Sequence, residues 1–149
     1  MKYSILIGLS IVVSFACNKK DNLPLMLTLI NADVLYADGE ENISAGNLIV
    51  ENEQDWEDLL EKIDAVNSES ENFTETEIDF ETYWVIACFD KVRGASGYSI
   101  TISALEETKN DVKLHVKRNS PDGINASVIT QPYYLAKIPK TKKEIVFIE

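Results

Sequence analysis

Three side chains in this sequence are the candidates considered for a nucleophile or a base: Ser96, Cys88 and His115. Ser96 stands between two glycines that are three positions apart, in a stretch that reads RGASGYSIT over residues 93–101. A glycine-rich loop of this kind can hold a phosphate, present a serine nucleophile or reverse the chain. The residues around the glycines distinguish these uses.

The loop does not have the pattern of a phosphate or nucleophile loop. Phosphate-binding glycine loops lead into a helix whose N-terminal amides face the anion, whereas the residues after Gly97 alternate as in a strand. A serine elbow needs glycines two before and two after the serine, and position 98 is tyrosine. We therefore predict that Gly94 and Gly97 are structural turn residues, as are Pro121 and Gly123 in a later Ser-Pro-Asp-Gly turn.

The other two candidates lack the partners that catalysis requires. Cys88 lies in the apolar run Trp84–Phe89, which predicts a buried strand in which the thiol acts as a small hydrophobic group. His115 is the only histidine and stands between two lysines on the predicted outer face of a strand, where we expect no carboxylate to orient it. We predict no catalytic residue, no cofactor and no enzymatic activity.

A metal site is not predicted either. One histidine and one core cysteine cannot form a zinc cage. The acidic turn at residues 38–41 lacks the alternating ligand spacing of a calcium loop.

The charge of the chain is negative and unevenly distributed. The 149 residues carry a formal net charge of −11, which argues against nucleic acid as a partner because that needs a broad basic surface. Residues 18–90 contain 19 acidic and 3 basic residues, while residues 91–149 contain 6 acidic and 10 basic ones. This asymmetry indicates either complementary halves of one domain or a polarised surface for docking a charged partner.

The first residues have the pattern of a signal peptide. Lys2 precedes an apolar or small run over Ile5–Val13, which is shorter than the roughly 20 residues that cross a membrane. The run closes with Ser14-Phe15-Ala16-Cys17, and a cysteine after a small residue resembles the lipobox of bacterial lipoproteins.

The lipobox resemblance implies an acylated Cys17 that anchors the chain in a membrane. It divides the chain into a signal peptide (1–16), a polar tether (17–30) and one domain (31–149). The alternative is an ordinary secretory signal in which Cys17 is incidental. The resemblance also implies a bacterial cell envelope location, at the outer membrane, with the periplasmic and surface sides both open.

The remaining pattern predicts an α+β domain. Asn52 can cap a helix whose apolar positions Trp56, Leu59, Leu60, Ile63 and Val66 share one face. Alternation predicts strands over 78–89, 98–102, 112–117, 127–134 and 144–148, preceded by a weaker strand signal over 27–36. Short turns between them favour an antiparallel β-meander sheet, open or partly closed like a barrel, with one amphipathic helix packed on it.

The order of motifs in the second half resembles a known family. The motifs are Gly94-x-x-Gly97-Tyr98-Ser-Ile-x-Ile, the turn Ser120-Pro121-Asp122-Gly123, Gln131-Pro132-Tyr133 and Lys137-Ile138-Pro139-Lys140. Together with Trp56 in the helix, they resemble the C-terminal domain of the protease complex subunit PrcB over roughly residues 47–149. One departure is Ala95-Ser96, where the family often has a further glycine.

This resemblance implies a non-enzymatic domain that binds another envelope protein and stabilises it, a protease being one such partner. Tyr98, Pro132, Tyr133 and Tyr134 are the predicted partner contacts, because aromatic residues near a sheet edge are favoured anchors. The alternative for these four residues is packing in the core. A second functional hypothesis is a small-ligand or glycan-binding lipoprotein that uses a concave sheet face.

Overall fold

A computed structural model describes residues 24–36, 39–123 and 125–149 of the chain. The predicted signal peptide, Cys17 and most of the predicted tether lie outside these residues. Seven strands and two helical segments follow in the order β1 (Thr28–Leu35), β2 (Gly46–Val50), α1 (Glu53–Ile63), a short 3-10 helix (Glu69–Asn72), β3 (Tyr83–Phe89), β4 (Ser99–Glu107), β5 (Asp111–Asn119), β6 (Gln131–Pro139) and β7 (Glu144–Ile148).

The strands form two sheets, and the α+β class is confirmed. One sheet has the order β1-β6-β3-β2 with antiparallel neighbours, and the other has the order β4-β5-β7. β4 and β5 form the predicted antiparallel hairpin, but β7 lies parallel to β5. The strands thus divide over two open sheets instead of following one meander, because β6 inserts between β1 and β3.

β3 and β6 are buried on both faces. Val85, Ala87 and Phe89 of β3 belong to a first core between this sheet and α1, whereas Ile86 and Cys88 belong to a second core between the two sheets. Adjacent residues of β6 also divide between the two cores, with Tyr133 in the first and Tyr134 in the second. The molecule therefore has three layers: helix, four-stranded sheet and three-stranded sheet.

α1 begins where the sequence predicts. The Asn52 side chain accepts a hydrogen bond of 3.0 Å from the backbone N–H of Asp55, which caps the first turn. Trp56, Leu59 and Ile63 are buried against the sheet. The helix ends at Ile63, so Val66 lies beyond it and is 46% exposed; the prediction that Val66 extends the apolar face is wrong.

Several predicted boundaries also differ from the structure. Residues 78–82 form a turn and not the start of β3, because the backbone N–H of Tyr83 bonds to the carbonyl of Asp79 at 2.9 Å. β6 begins at Gln131 and not at 127, and the segment after α1 contains the 3-10 helix. Residues 28–30, expected in the tether, already belong to β1. None of the described helices is long and apolar enough to span a membrane.

Candidate functional site

The glycine-rich loop after β3 is held against the segment that leads into β6. Arg93 and Thr130 exchange two backbone hydrogen bonds, of 2.7 and 2.9 Å. The backbone N–H of Ser96 donates to the carbonyl of Ala126 at 3.0 Å, and the hydroxyl of Thr130 donates to the carbonyl of Ala95 at 3.3 Å. The backbone of this loop therefore forms hydrogen bonds with the segment that precedes β6.

Gly97 is the position where this loop requires glycine. Its φ is +87°, a conformation that side chains other than glycine rarely adopt. A Cβ atom here would lie 2.7 Å from the Cβ of Pro121 and 3.1 Å from the Oδ1 of Asn125. Gly94, by contrast, has no neighbour within 4 Å of a built Cβ atom. Of the two glycines, Gly97 therefore allows the close approach of the loop that carries Pro121.

A buried carboxylate holds the same region together. Asp90 follows β3 directly and is 3% exposed. Its Oδ2 accepts hydrogen bonds of 2.8 and 2.6 Å from the Nε and Nη2 of Arg93, and its Oδ1 lies 3.3 Å from the Nε of Arg118 on β5. Arg118 also pairs with Glu149 after β7. We call Asp90, Arg93 and Arg118 the ion cluster; it ties the four-stranded sheet to the three-stranded one.

The predicted partner contacts lie at or under this region. The ring of Tyr98 is half-buried, and the guanidinium carbon of Arg93 lies 4.5 Å from its centroid. Pro132 and Tyr134 are buried. Tyr133 is 1% exposed, with its ring centroid 6.2 Å from those of Phe73 and Phe89. For Pro132, Tyr133 and Tyr134 the structure agrees with the alternative of core packing.

The candidate nucleophile and base have different surroundings. The Cys88 thiol is fully buried, and burial raises its pKa to about 12, so the reactive thiolate is disfavoured. The Nε2 atom of His115 lies 3.2 Å from the Oε1 of Glu106 on the neighbouring strand. The pairing of β4 with β5 thus places a carboxylate near His115, but the Nε2 atom has no hydrogen-bond partner among the described residues.

An open concavity of the described surface lies beside the C-terminal half of α1. Its volume is about 550 Å³, and we call it the acidic cleft. Its lining residues come from the turn before β2 and from the helix: Glu40, Glu41, Asn42, Asp58, Glu61, Lys62 and Ala65. Four of the five charged side chains are acidic. The described residues contain no group of three or more His, Cys, Asp or Glu side chains that could hold a metal ion.

Glu41 is the unusual residue of this cleft. It is 3% exposed, and among the described residues neither carboxylate oxygen has a hydrogen-bond partner. The turn that carries it is fixed by two hydrogen bonds: the N–H of Asn42 donates to the carbonyl of Gly39 at 3.1 Å, and its side-chain amide donates to the carbonyl of Glu40 at 2.7 Å. The sequence indicated an acidic turn here but not the burial of one carboxylate.

A second group of acidic residues surrounds the buried hydroxyl of Tyr133. Burial, followed by the charges of Asp33 and Glu41, raises the pKa of Glu69 above its ordinary value of 4.5, and Asp64 adds to the shift. Burial first, and then Glu69, Asp33 and Asp64, raises the pKa of Tyr133. The Tyr133 hydroxyl has no hydrogen-bond partner among the described residues. Negative charge is therefore concentrated on the helical side of the sheet.

Comparison with known families identifies part of this architecture. Residues 84–139 match the family model described as PrcB C-terminal. The predicted family resemblance is thus confirmed over this segment, which runs from β3 to the end of β6 and includes the ion cluster. No curated protein and no solved structure matches the chain.

The PrcB-like segment and the acidic cleft occupy different parts of the chain. The segment supplies both central strands, the hairpin of β4 and β5, and the glycine-rich loop. The cleft is formed by residues 40–65, which precede the segment. The family match therefore describes the scaffold, whereas the charged cleft is a feature of the residues outside the match.

The loop packing predicts a difference between its two glycines. We expect Gly97→Ala to lower the free energy of unfolding by about 1–3 kcal/mol, because the new Cβ atom contacts Pro121 and the φ angle is strained. Gly94→Ala is the matched control and should change it by less than about 1 kcal/mol. Urea unfolding measures both, and equal stability of the two variants would contradict this account.

The ion cluster predicts a large cost for removing its buried member. Asp90→Asn removes the carboxylate that Arg93 and Arg118 share and leaves Arg118 paired with Glu149 alone, so we expect a loss of about 3 kcal/mol in the free energy of unfolding. Glu107→Gln, which breaks the exposed pair with Lys143, should cost less than about 1 kcal/mol. A similar cost for both variants in urea unfolding would show that the cluster contributes no more than a surface pair.

The raised pKa of Glu69 predicts a pH dependence of stability. Protonation of Glu69 favours the folded state, so its contribution is present below the ordinary value of 4.5 and is lost as the pH rises through the folded value. Glu69→Gln should match the unmodified chain at pH 4 and have the higher urea midpoint at pH 7. The control is Glu71→Gln, on the exposed side of the same 3-10 helix. A constant difference between pH 4 and pH 7 would exclude Glu69 as the titrating group.

Proposed function

We propose that this chain is a non-enzymatic bacterial envelope lipoprotein whose PrcB-like domain binds and stabilises another protein. The observation that carries the proposal is the match of residues 84–139 to the PrcB C-terminal family, because this segment contains both central strands of the fold. The family name comes from a protease complex, so a protease is the first partner class to test. Fold similarity alone does not identify the partner.

The state of the candidate nucleophiles supports a binding role. Burial raises the pKa of Cys88 to about 12. The backbone of the loop that carries Ser96 forms hydrogen bonds with Ala126 and Thr130. A catalytic base accepts a proton on a ring nitrogen. The Nε2 atom of His115 faces the carboxylate of Glu106 at 3.2 Å instead of a serine hydroxyl. This geometry suits a structural pair on the sheet surface better than a base for Ser96.

The alternative of a ligand site on a concave sheet face has less support. Both faces of the four-stranded sheet are covered, one by α1 and the other by the second sheet. Two concavities of the described surface lie beside the helix, and each is lined by three or more acidic residues. Such surfaces suit a cationic partner better than an uncharged glycan.

The proposed anchor and location rest on the sequence alone. Cys17 follows Ala16 at the end of an apolar run and precedes a polar segment, as in lipoproteins processed at that cysteine. In this proposal the lipid on Cys17 holds the domain at the outer membrane, and the tether keeps it within reach of an envelope protein. Non-specific binding to nucleic acid is disfavoured by the net charge of −11.

Two linked measurements test this proposal. Metabolic labelling with an alkyne fatty acid should label the unmodified chain and not Cys17→Ala. Crosslinking in intact cells, followed by affinity purification and mass spectrometry, should recover one specific envelope protein with the anchored chain and less of it with Cys17→Ala. Absence of any specific partner would overturn the binding role, and absence of label would overturn the anchor.

A further inference from the structure

The acidic cleft carries an excess of negative charge that no ion pair among the described residues neutralises. Residues 40–81 contain 15 acidic residues and one basic residue, Lys62. The ion pairs among the described residues join Asp90, Glu149, Glu106, Glu75 and Glu107 to basic groups, and none includes a side chain of the cleft. The surface is therefore complementary to a positively charged group from outside the chain.

Glu41 is the residue of the cleft for which a cationic partner would be most favourable. Removing a carboxylate from water costs several kcal/mol unless a cation or hydrogen-bond donors replace the water. Glu41 is 3% exposed, lines the cleft and has no partner for either oxygen among the described residues. Water would solvate an exposed acidic cluster, whereas this buried carboxylate has no compensating partner among the described residues.

The shape of the cleft favours a cationic side chain over a metal ion. The described residues bring no three metal-ligating side chains together, and calcium requires six to eight oxygen ligands. The cleft is open and measures about 550 Å³, which is far larger than a single ion. An arginine guanidinium can bond to both oxygens of one carboxylate in a planar, bidentate arrangement and is more weakly hydrated than a lysine ammonium.

We propose that the acidic cleft receives an arginine side chain from the bound protein, and that the Glu41 carboxylate, buried and unpaired among the described residues, turns toward the cleft to pair with it. Asp58 and Glu61 of α1 and Glu40 of the turn form the rim that attracts the basic segment carrying this arginine. The inference rests on the proposed protein-binding function and adds the chemistry of the partner: a basic segment with at least one arginine. Charge at the rim increases the association rate, and the buried pair determines the residence time.

A synthetic peptide tests this inference directly. The probe is fluorescently labelled acetyl-GRGRGR-amide, and its anisotropy is measured with the full chain in a non-ionic detergent. The matched peptide contains citrulline in place of arginine, so that it keeps the shape and loses the charge. We expect the arginine peptide to bind and the citrulline peptide not to bind. Equal binding of both peptides would overturn the proposal.

Matched variants separate the buried pair from general attraction. Glu41→Gln should weaken binding of the arginine peptide by at least about tenfold, because the guanidinium loses its charged partner. Glu51→Gln removes the same charge at an exposed position outside the cleft and should weaken binding by less than about twofold. Equal losses would show attraction by net charge alone and would overturn the proposal.

Two further measurements cover folding and metal binding. Urea unfolding should show Glu41→Gln to be at least as stable as the unmodified chain, because it removes an uncompensated buried charge. If this variant does not fold, Glu61→Gln at the exposed rim must weaken peptide binding by at least about threefold, or the proposal fails. Displacement of the peptide by 1 mM calcium chloride, without the same effect from an equal ionic strength of sodium chloride, would assign the cleft to a metal and overturn the proposal.

The results also distinguish this inference from the broader function. A captured partner whose binding is unchanged by Glu41→Gln would leave the binding function standing and exclude the arginine pair. Glu41-dependent peptide binding without any captured envelope protein would support the chemistry of the cleft and overturn the proposed partner role.

Discussion

The pairing of β3 with β6 places two strands at the centre of the molecule, and both must be apolar on both faces. Seven residue pairs join them, from Tyr83 opposite Pro139 to Phe89 opposite Tyr133. Because each strand contributes alternate side chains to the two cores, a shift in register by one residue would exchange the contents of both cores. The helix on one side and the second sheet on the other therefore depend on this single register.

The two buried carboxylates, Asp90 and Glu41, have different electrostatic surroundings. At the end marked by the glycine-rich loop, Asp90 is buried but fully paired with Arg93 and Arg118, so the charge is used to join the sheets. At the helical side, Glu41 is equally buried but has no partner in the described residues. The first arrangement is complete within the described residues, and the second one lacks a cationic partner among them. This difference separates the scaffold from the surface proposed for binding.

Local signals in the sequence predicted local structure. Asn52 fixed the start of the helix through its cap, and the pattern of Glu144–Ile148 gave β7 with its correct bounds. The alternation at Ile78–Phe80 did not become a strand, because Asp79 bonds to the backbone of the following turn. The sequence could not show that β6 inserts between β1 and β3, since pairing of distant strands is determined by the whole core. Burial of Glu41 likewise depends on residues that are distant in the sequence, so the local pattern did not predict it.

The insertion of β6 between β1 and β3 also determines how the chain must fold. β1 pairs with β6, so about 100 residues separate the partners, and closing so long a loop carries an entropic cost before any contact forms. Folds rich in such distant contacts fold slowly. The four-stranded sheet cannot be completed until nearly the whole chain is available. Until β6 has been synthesised, β1 has no strand to pair with and stays exposed. We expect the chain to be most susceptible to aggregation or proteolysis before β1 pairs with β6.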